Sequence, residues 1–141
     1  MRHKTILFSL LLVCWTQCAW ASDTVAIQTI ILESQGESMA GQVAVGEVIR
    51  NRAKRGDLSV DSVCLAYRQF SCWNDGKQAK KALSKASGET WQRASKAWAE
   101  SEESNLTNGA THYHARKVHP YWVGRHKGIR IGNHVFYRGI K

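Results

Sequence analysis

The sequence lacks the long-range patterns that define several large classes of protein. It contains no internal repeat, heptad pattern or low-complexity tract, which argues against a solenoid, a coiled coil and a disordered chain. It also lacks the His-Glu-x-x-His motif, and its basic residues form no helix-turn-helix or zinc-finger arrangement. Acidic residues are scarce, with 11 Asp and Glu against 20 Lys and Arg, and the formal net charge is +9. Such a charge favours anionic partners.

Long apolar runs are missing after the first segment. The basic stretch 2–4 precedes an uncharged apolar run over 6–15, which is too short to favour a stable membrane span. An Ala-Trp-Ala sequence at 19–21 supplies the small-x-small pattern of a signal-peptidase site. We therefore predict that residues 1–21 form a signal peptide. The protein is then exported to the periplasm or the cell exterior as residues 22–141.

The predicted mature chain has the size of one domain. Removal of the leader leaves 120 residues, too few for two ordinary domains, and takes Arg2 and Lys4 with it, so that the net charge becomes +7. The candidate anionic partners are cell-wall polymer, nucleic acid and membrane headgroups. Nucleic acid is the weakest of these, because export removes the usual substrate. We expect a monomer without a metal or another cofactor.

Cysteine is also scarce in the predicted mature chain, which keeps only Cys64 and Cys72. Export and an even count favour a disulfide between them, worth roughly 2–3 kcal/mol for so short a loop. The alternative is a pair of buried thiols. A zinc site is less favoured, because the spacing is not that of a zinc knuckle.

The start of the mature chain has a helical pattern that ends at a carboxyl group. Ser22 or Asp23 can cap the helix, and Ala26, Ile30 and Glu33 lie on one stripe. Glu33 thus continues an apolar face, where poor solvation disfavours the ionised form of a carboxyl. A carboxyl that keeps its proton is a candidate general acid. The alternative is an ordinary Glu at a helix end.

The remaining pattern is mostly helical. Gly36 ends the first helix, and Ser38 caps a second that stops near Gly56. Apolar spacing predicts two amphipathic helices, over 79–86 and 91–98. A polar loop over 101–108 and a strand pattern over 129–137 follow. We therefore predict a single α+β domain that is predominantly helical, with a short C-terminal β element.

Seven short motifs occur in order along nearly the whole mature domain. They are Glu33-Ser34-Gln35-Gly36-Glu37, Gly41-Gln42-Val43-Ala44-Val45, Asn51-Arg52, Phe70-Ser71-Cys72-Trp73, Gly109-Ala110-Thr111-His112-Tyr113-His114, Pro120-Tyr121-Trp122 and Ile131-Gly132-Asn133-His134-Val135-Phe136-Tyr137. Together they resemble the SleB-type cell-wall hydrolases, a family that includes spore-cortex-lytic enzymes and phage-borne relatives. The resemblance implies a lysozyme-like fold, similar to that of lytic transglycosylases, and action on the glycan strands of peptidoglycan. It also implies that Glu33 is the catalytic acid.

The chemistry can be argued from the residues as well. Cleavage of a glycosidic bond requires a proton on the departing oxygen, and Glu33 can supply it. A lytic transglycosylase, which closes a 1,6-anhydromuramic ring, needs no further carboxylate, whereas a muramidase-type hydrolase does. Glu37 is the possible second carboxylate. Gly36 interrupts the helix between the two, so a capping or salt-bridged role for Glu37 is favoured.

A sugar cleft also needs polar donors and aromatic faces. Tyr113 is the best candidate, and alternation along an extended segment places Thr111 on its side and His112 on the other. Packing in the core is the alternative reading for several aromatic residues, above all Trp91 and Trp98. The full set of predicted substrate-binding residues is Gln42, Tyr113, Trp122, His134 and Tyr137.

Two rival functions remain open. His112, His114 and His134 could bind zinc for an N-acetylmuramoyl-L-alanine amidase, a reading that full activity in a chelator would exclude. A noncatalytic peptidoglycan-binding module would use the positive charge and the aromatic residues for adhesion alone. The variant Glu33→Gln distinguishes that module from an enzyme, because the change would abolish wall cleavage by an enzyme but would not affect adhesion by a binding module.

Overall fold

The computed structural model describes residues 13–140 and contains a helical bundle followed by a small antiparallel sheet. This agrees with the predicted α+β class. Single 3₁₀ turns occupy Ser71–Trp73 and Tyr121–Val123. The helices and strands are α1 (Val13–Ser34), α2 (Met39–Gly56), α3 (Val60–Leu65), α4 (Gly76–Lys85), α5 (Gly88–Glu100), β1 (His112–Ala115), β2 (Ile129–Ile131) and β3 (His134–Tyr137).

Helix α1 begins earlier than the sequence pattern predicts. It is continuous from Val13, so the predicted N-cap at Ser22 or Asp23 is wrong for this chain. Residues 13–21 contain no Gly or Pro that would interrupt the helix. The Asp23 carboxylate instead accepts a hydrogen bond of 2.7 Å from Nε1 of Trp98. Residues 1–12 of the predicted leader lie outside the described residues. Its last nine residues, 13–21, belong to α1.

The ends of α2 agree with the predictions, whereas the two amphipathic helices each begin three residues earlier than their apolar spacing predicts. The Ser38 side chain accepts a hydrogen bond from the Gly41 amide and caps α2, which ends at Gly56 before a left-handed Asp57. The two amphipathic helices are α4 and α5, and Ser87 caps the second. Within residues 13–140, no helix combines the length and the apolar character needed to cross a membrane.

The main core lies where α1, α2 and α5 pack together under the sheet. Gly46 of α2 permits close packing, since a Cβ there would lie 2.8 Å from Cβ of Ser101. Each fully buried large aliphatic side chain stabilises the fold by about 1.5–3 kcal/mol. The predicted core position of Trp98 is confirmed, since only 4% of this residue is exposed. The largest apolar residues that are almost fully buried are Phe70, Phe136, Ile30, Ile31, Ile49, Val45 and Val48.

The sheet has the strand order β1-β3-β2, and both pairings are antiparallel. Because Tyr113 pairs with Phe136, these two side chains share the face that packs on the helical core, here called the inner face. His134 lies on the same face. The other side, here called the outer face, carries His112, His114, Arg130, Val135 and Tyr137.

Candidate active site

Glu33 lies in the last turn of α1, half-buried between the sheet and the 3₁₀ turn at 71–73. The Tyr113 hydroxyl donates a hydrogen bond of 2.6 Å to Oε2 of Glu33, and the Cys72 amide donates one of 3.2 Å to Oε1. Trp73 holds the turn against α1, because its Nε1 donates to Oγ1 of Thr29 at 3.0 Å. Each oxygen of the Glu33 carboxylate therefore has a donor, and each donor comes from a different element.

Aromatic packing holds Tyr113 in place. Its ring stacks on Phe136 with centroids 5.4 Å apart and meets His134 edge to face at 5.1 Å. Burial, followed by the charge of Glu33, raises the pKa of Tyr113 well above its usual value. The phenol therefore remains a donor to Glu33 far into the alkaline range.

A half-buried arginine beside the site fixes the start of β1. The guanidinium of Arg52 donates from Nε to the Thr111 carbonyl at 2.6 Å and lies 4.7 Å from the Phe70 ring centroid. Asn51, its neighbour in α2, donates from Nδ2 to the carbonyl of Ala110 at 2.9 Å. These bonds attach the segment that carries Tyr113 to α2, and they give a structural reason for the Asn51-Arg52 motif.

The predicted disulfide is not formed, and Cys64 and Cys72 are free thiols. Cys64 is buried, whereas Cys72 is half-buried and its backbone amide donates to Glu33. Burial raises the pKa of Cys64 to about 11. Burial, followed by the charge of Glu33, also raises the pKa of Cys72. Both sulfurs are therefore protonated and poorly nucleophilic at neutral pH.

Glu37 binds the β2–β3 turn instead of joining Glu33. Its Oε2 accepts a hydrogen bond from the Asn133 amide at 3.0 Å, and its Oε1 accepts one from Nδ2 of Asn133 at 3.1 Å. Gly132 leaves room for this contact, since a Cβ there would lie within 2.0 Å of Oε2 of Glu37. Glu37 therefore has a structural contact, but with Asn133 and not with the helix end or the cation that the sequence favoured.

The predicted substrate-binding residues lie in three places. Tyr113 hydrogen-bonds to Glu33 on the inner face, and His134 packs against Tyr113 there. Gln42 is only 2% exposed, and its Nε2 donates to the Glu37 carbonyl at 3.4 Å. Trp122 and Tyr137 pack together with centroids 5.6 Å apart on the outer face, on the other side of the sheet from Glu33.

The three histidines of the zinc hypothesis do not converge. His112 and His114 project to the outer face, where their ring centroids lie 5.4 Å and 5.8 Å from that of Trp122. His134 projects to the inner face. Among the side chains that the structure describes, those of residues 23–140, no group of three His, Cys, Asp or Glu has an arrangement suited to a metal ion.

Sequence reasoning missed the buried carboxylate of Glu47. It accepts four hydrogen bonds, from Oγ of Ser104, the amide of Leu106, and both the amide and Oγ1 of Thr107. The available signal was an acidic residue inside the apolar run from Val43 to Ile49. Sequence reasoning also missed the Cys72 amide, because no sequence pattern reports which backbone group faces a carboxylate.

The chain is similar to known proteins in sequence and in fold. The profile of the cell wall hydrolase family matches residues 36–137, a span that begins three residues after Glu33. The catalytic domain of Bacillus cereus SleB superposes with a TM-score of 0.68 at 26% identity, covering 84% of this chain and 91% of that one. The catalytic domain of the germination-specific lytic transglycosylase SleB from Bacillus anthracis gives 0.65 at 26% identity, with 83% and 93% covered. Among curated proteins, none matches. The chain belongs to the cell wall hydrolase family.

Proposed function

We propose that this protein is an exported lytic transglycosylase that cleaves the bond between N-acetylmuramic acid and N-acetylglucosamine. Residues 1–21 would direct export to the periplasm or cell exterior, and residues 22–141 would form the catalytic domain. The observation that carries the proposal is the placement of Glu33, half-buried with a hydrogen-bond donor on each carboxylate oxygen. One structural relative, SleB from Bacillus anthracis, is a germination-specific lytic transglycosylase, which supports the same class.

The proposed mechanism uses one carboxyl group twice. Protonated Glu33 donates its proton to the glycosidic oxygen as the bond to the muramic C1 breaks, and the substrate's acetamido oxygen stabilises the cation. Ionised Glu33 then removes the proton from the muramic 6-hydroxyl, whose oxygen closes the anhydro ring at C1. The Tyr113 hydroxyl and the Cys72 amide would stabilise the carboxylate between these steps.

Muramidase-type hydrolysis is the alternative within the class. It requires a second carboxylate to act as a nucleophile or to activate water. Glu37 is the nearest such residue in sequence, and Asn133 occupies both of its oxygens. This contact favours transglycosylation, which needs Glu33 alone.

The first test compares Glu33→Gln with the matched variant Glu37→Gln on purified cell walls. We expect Glu33→Gln to lower the rate of wall solubilisation by about a thousandfold, because the amide cannot donate the proton. Glu37→Gln should lower the rate by less than about tenfold, because this change weakens only the hydrogen bonds to Asn133 in the β2–β3 turn. Solubilisation by Glu33→Gln at the parental rate would exclude the catalytic assignment.

Mass analysis of the released muropeptides separates the two reactions. Transglycosylation leaves anhydro ends that are one water lighter than reducing ends. Reducing ends alone would favour the hydrolase and contradict the proposed mechanism.

A further inference from the structure

The net positive charge of the predicted mature chain is concentrated in its C-terminal segment. Residues 104–141 contain seven Lys and Arg and no acidic residue, whereas residues 22–103 contain 11 of each sign. The segment therefore carries the whole net charge of +7. It also forms the sheet and the loops that surround it.

Three of these basic residues line a groove formed by the end of β1 together with β2 and β3. The groove has a volume of about 560 Å³ and is lined by Ala115, Arg116, Lys117, Arg130, Asn133 and Val135. Its backbone is fixed, because the Arg116 amide donates to the Asn133 carbonyl at 2.8 Å. Arg130 pairs with Val135 on the outer face, opposite the face that carries Tyr113. The residues that donate hydrogen bonds to Glu33 are Cys72 and Tyr113, and neither lines the groove.

The side chains of the cations in this groove have no partner among the described residues, whereas three arginine side chains of α2 each have one. Arg52 and Arg55 donate to backbone carbonyls, and Arg50 pairs with Glu102. Within residues 13–140, no ion pair or side-chain hydrogen bond engages Arg116, Lys117 or Arg130, and all three are exposed. Three free cations around one concave site favour an anionic ligand.

We propose that this basic groove binds the carboxylates of peptidoglycan stem peptides. The proposal rests on the proposed function, which makes peptidoglycan the polymer that the protein meets. Its sugar rings carry hydroxyl and acetamido groups, so its negative charges lie on the peptides. Because neither Cys72 nor Tyr113 lines the groove, it would hold peptides of the surrounding network beyond the bond that is cut.

The test measures binding of proteins that cannot cut the wall. In the Glu33→Gln background, Arg116→Gln, Lys117→Gln and Arg130→Gln are combined. A matched control combines Lys77→Gln, Lys81→Gln and Lys85→Gln, which removes the same charge from exposed positions of α4. The probes are walls that retain teichoic acid, peptidoglycan freed of it, and stem-free glycan. To make the stem-free glycan, an amidase removes the stems, and carbodiimide-mediated amidation then neutralises the lactyl carboxylates that this hydrolysis leaves. Circular dichroism verifies that both variants fold.

We expect the groove variant to bind peptide-bearing peptidoglycan about tenfold more weakly than the control variant does. The two should bind stem-free glycan equally. Equal binding of peptide-bearing material, or an equal loss on stem-free glycan, would overturn the proposal. A loss seen only with walls that retain teichoic acid would assign the groove to phosphate and also contradict it.

These outcomes are independent of the catalytic assignment. If wild-type protein fails to cut walls, the proposed function fails, while binding by the groove can still be measured. If the groove variant of the otherwise wild-type enzyme binds and cuts as the control does, only the groove proposal fails.

Discussion

Glu33 and Glu37 are four residues apart, yet their carboxylates contact different elements. Glu33 accepts hydrogen bonds from Tyr113 in β1 and from the Cys72 amide, whereas Glu37 accepts both of its bonds from Asn133. The chain leaves the helix after Ser34, so the two side chains do not share a helix face. The end of α1 between Glu33 and Glu37 thus directs the two carboxylates to different contacts.

Tyr113→Phe tests the role of the phenol at the residue scale. The change removes the 2.6 Å hydrogen bond to Glu33 but keeps the ring that stacks on Phe136. We expect kcat/KM for wall cleavage to fall by about tenfold to a hundredfold while the fold is retained. Turbidity loss of purified walls measures the rate. An unchanged rate would show that Tyr113 does not assist Glu33.

The same variant makes a prediction about alkaline stability. The pKa of Tyr113 is raised in the folded state, so the unfolded chain loses this proton first as pH rises. The stabilisation is fully present below about pH 10, the pKa of an unperturbed tyrosine, and is lost as pH rises towards the folded-state value. Tyr113→Phe should reduce the fall in Tm above pH 10. Tyr121→Phe is the control, since Tyr121 is 97% exposed, and it should leave the fall unchanged.

At the scale of elements, one buried carboxylate organises the loop between α5 and β1. Glu47 in α2 accepts four hydrogen bonds from Ser104, Leu106 and Thr107. The loop leads into the segment that α2 also holds through Asn51 and Arg52. Helix α2 therefore positions the strand that carries Tyr113.

Glu47→Gln should destabilise the protein more than any change at the loop surface. The new amide group would face N–H and O–H donors, and we expect a loss of about 3 kcal/mol with a fall in Tm of about 10 °C. Thermal melts followed by circular dichroism measure this. Glu103→Gln is the matched control, because Glu103 is exposed in the same loop. A shift of equal size in both variants would contradict the role assigned to Glu47.

Local signals explain which elements the sequence predicted well. The Ser38 cap, the end of α2 at Gly56 and the strand pattern over 129–137 depend on neighbours in the chain, and all three are confirmed. The turn at Gly132, with φ of 58°, divides that pattern into β2 and β3. Helix α3 has only six residues, too few for a periodic pattern, and it was not predicted.

At the scale of the whole molecule, the net charge is concentrated in one part of the chain. The helical part has balanced charges and contributes Glu33, whereas residues 104–141 carry the net charge. Such unpaired surface charge is strongly screened by salt. The sheet would therefore serve two purposes, with Tyr113 on its inner face and cations beside its outer face.

Salt should weaken the binding of Glu33→Gln protein to peptidoglycan. A change from about 0.01 M to about 1 M shortens the Debye length from about 30 Å to about 3 Å. We expect the affinity to fall by at least about tenfold over this range, as measured by co-sedimentation. The fall should be shallower for the groove variant than for the α4 control. Affinity that is independent of salt would argue that the net charge has no part in wall binding.

The sequence by itself determined the helical periods, the cap at Ser38, the family motifs and the choice of Glu33 as the candidate acid, because these depend on local spacing and residue type. Only the tertiary structure decided which groups meet. It placed Tyr113 and the Cys72 amide in contact with Glu33, and it placed Trp122 and Tyr137 on the outer face of the sheet. It also paired Glu37 with Asn133 and left both cysteines as free thiols. Each of these contacts joins residues that are far apart in the chain or depends on side-chain orientation, and packing fixes both.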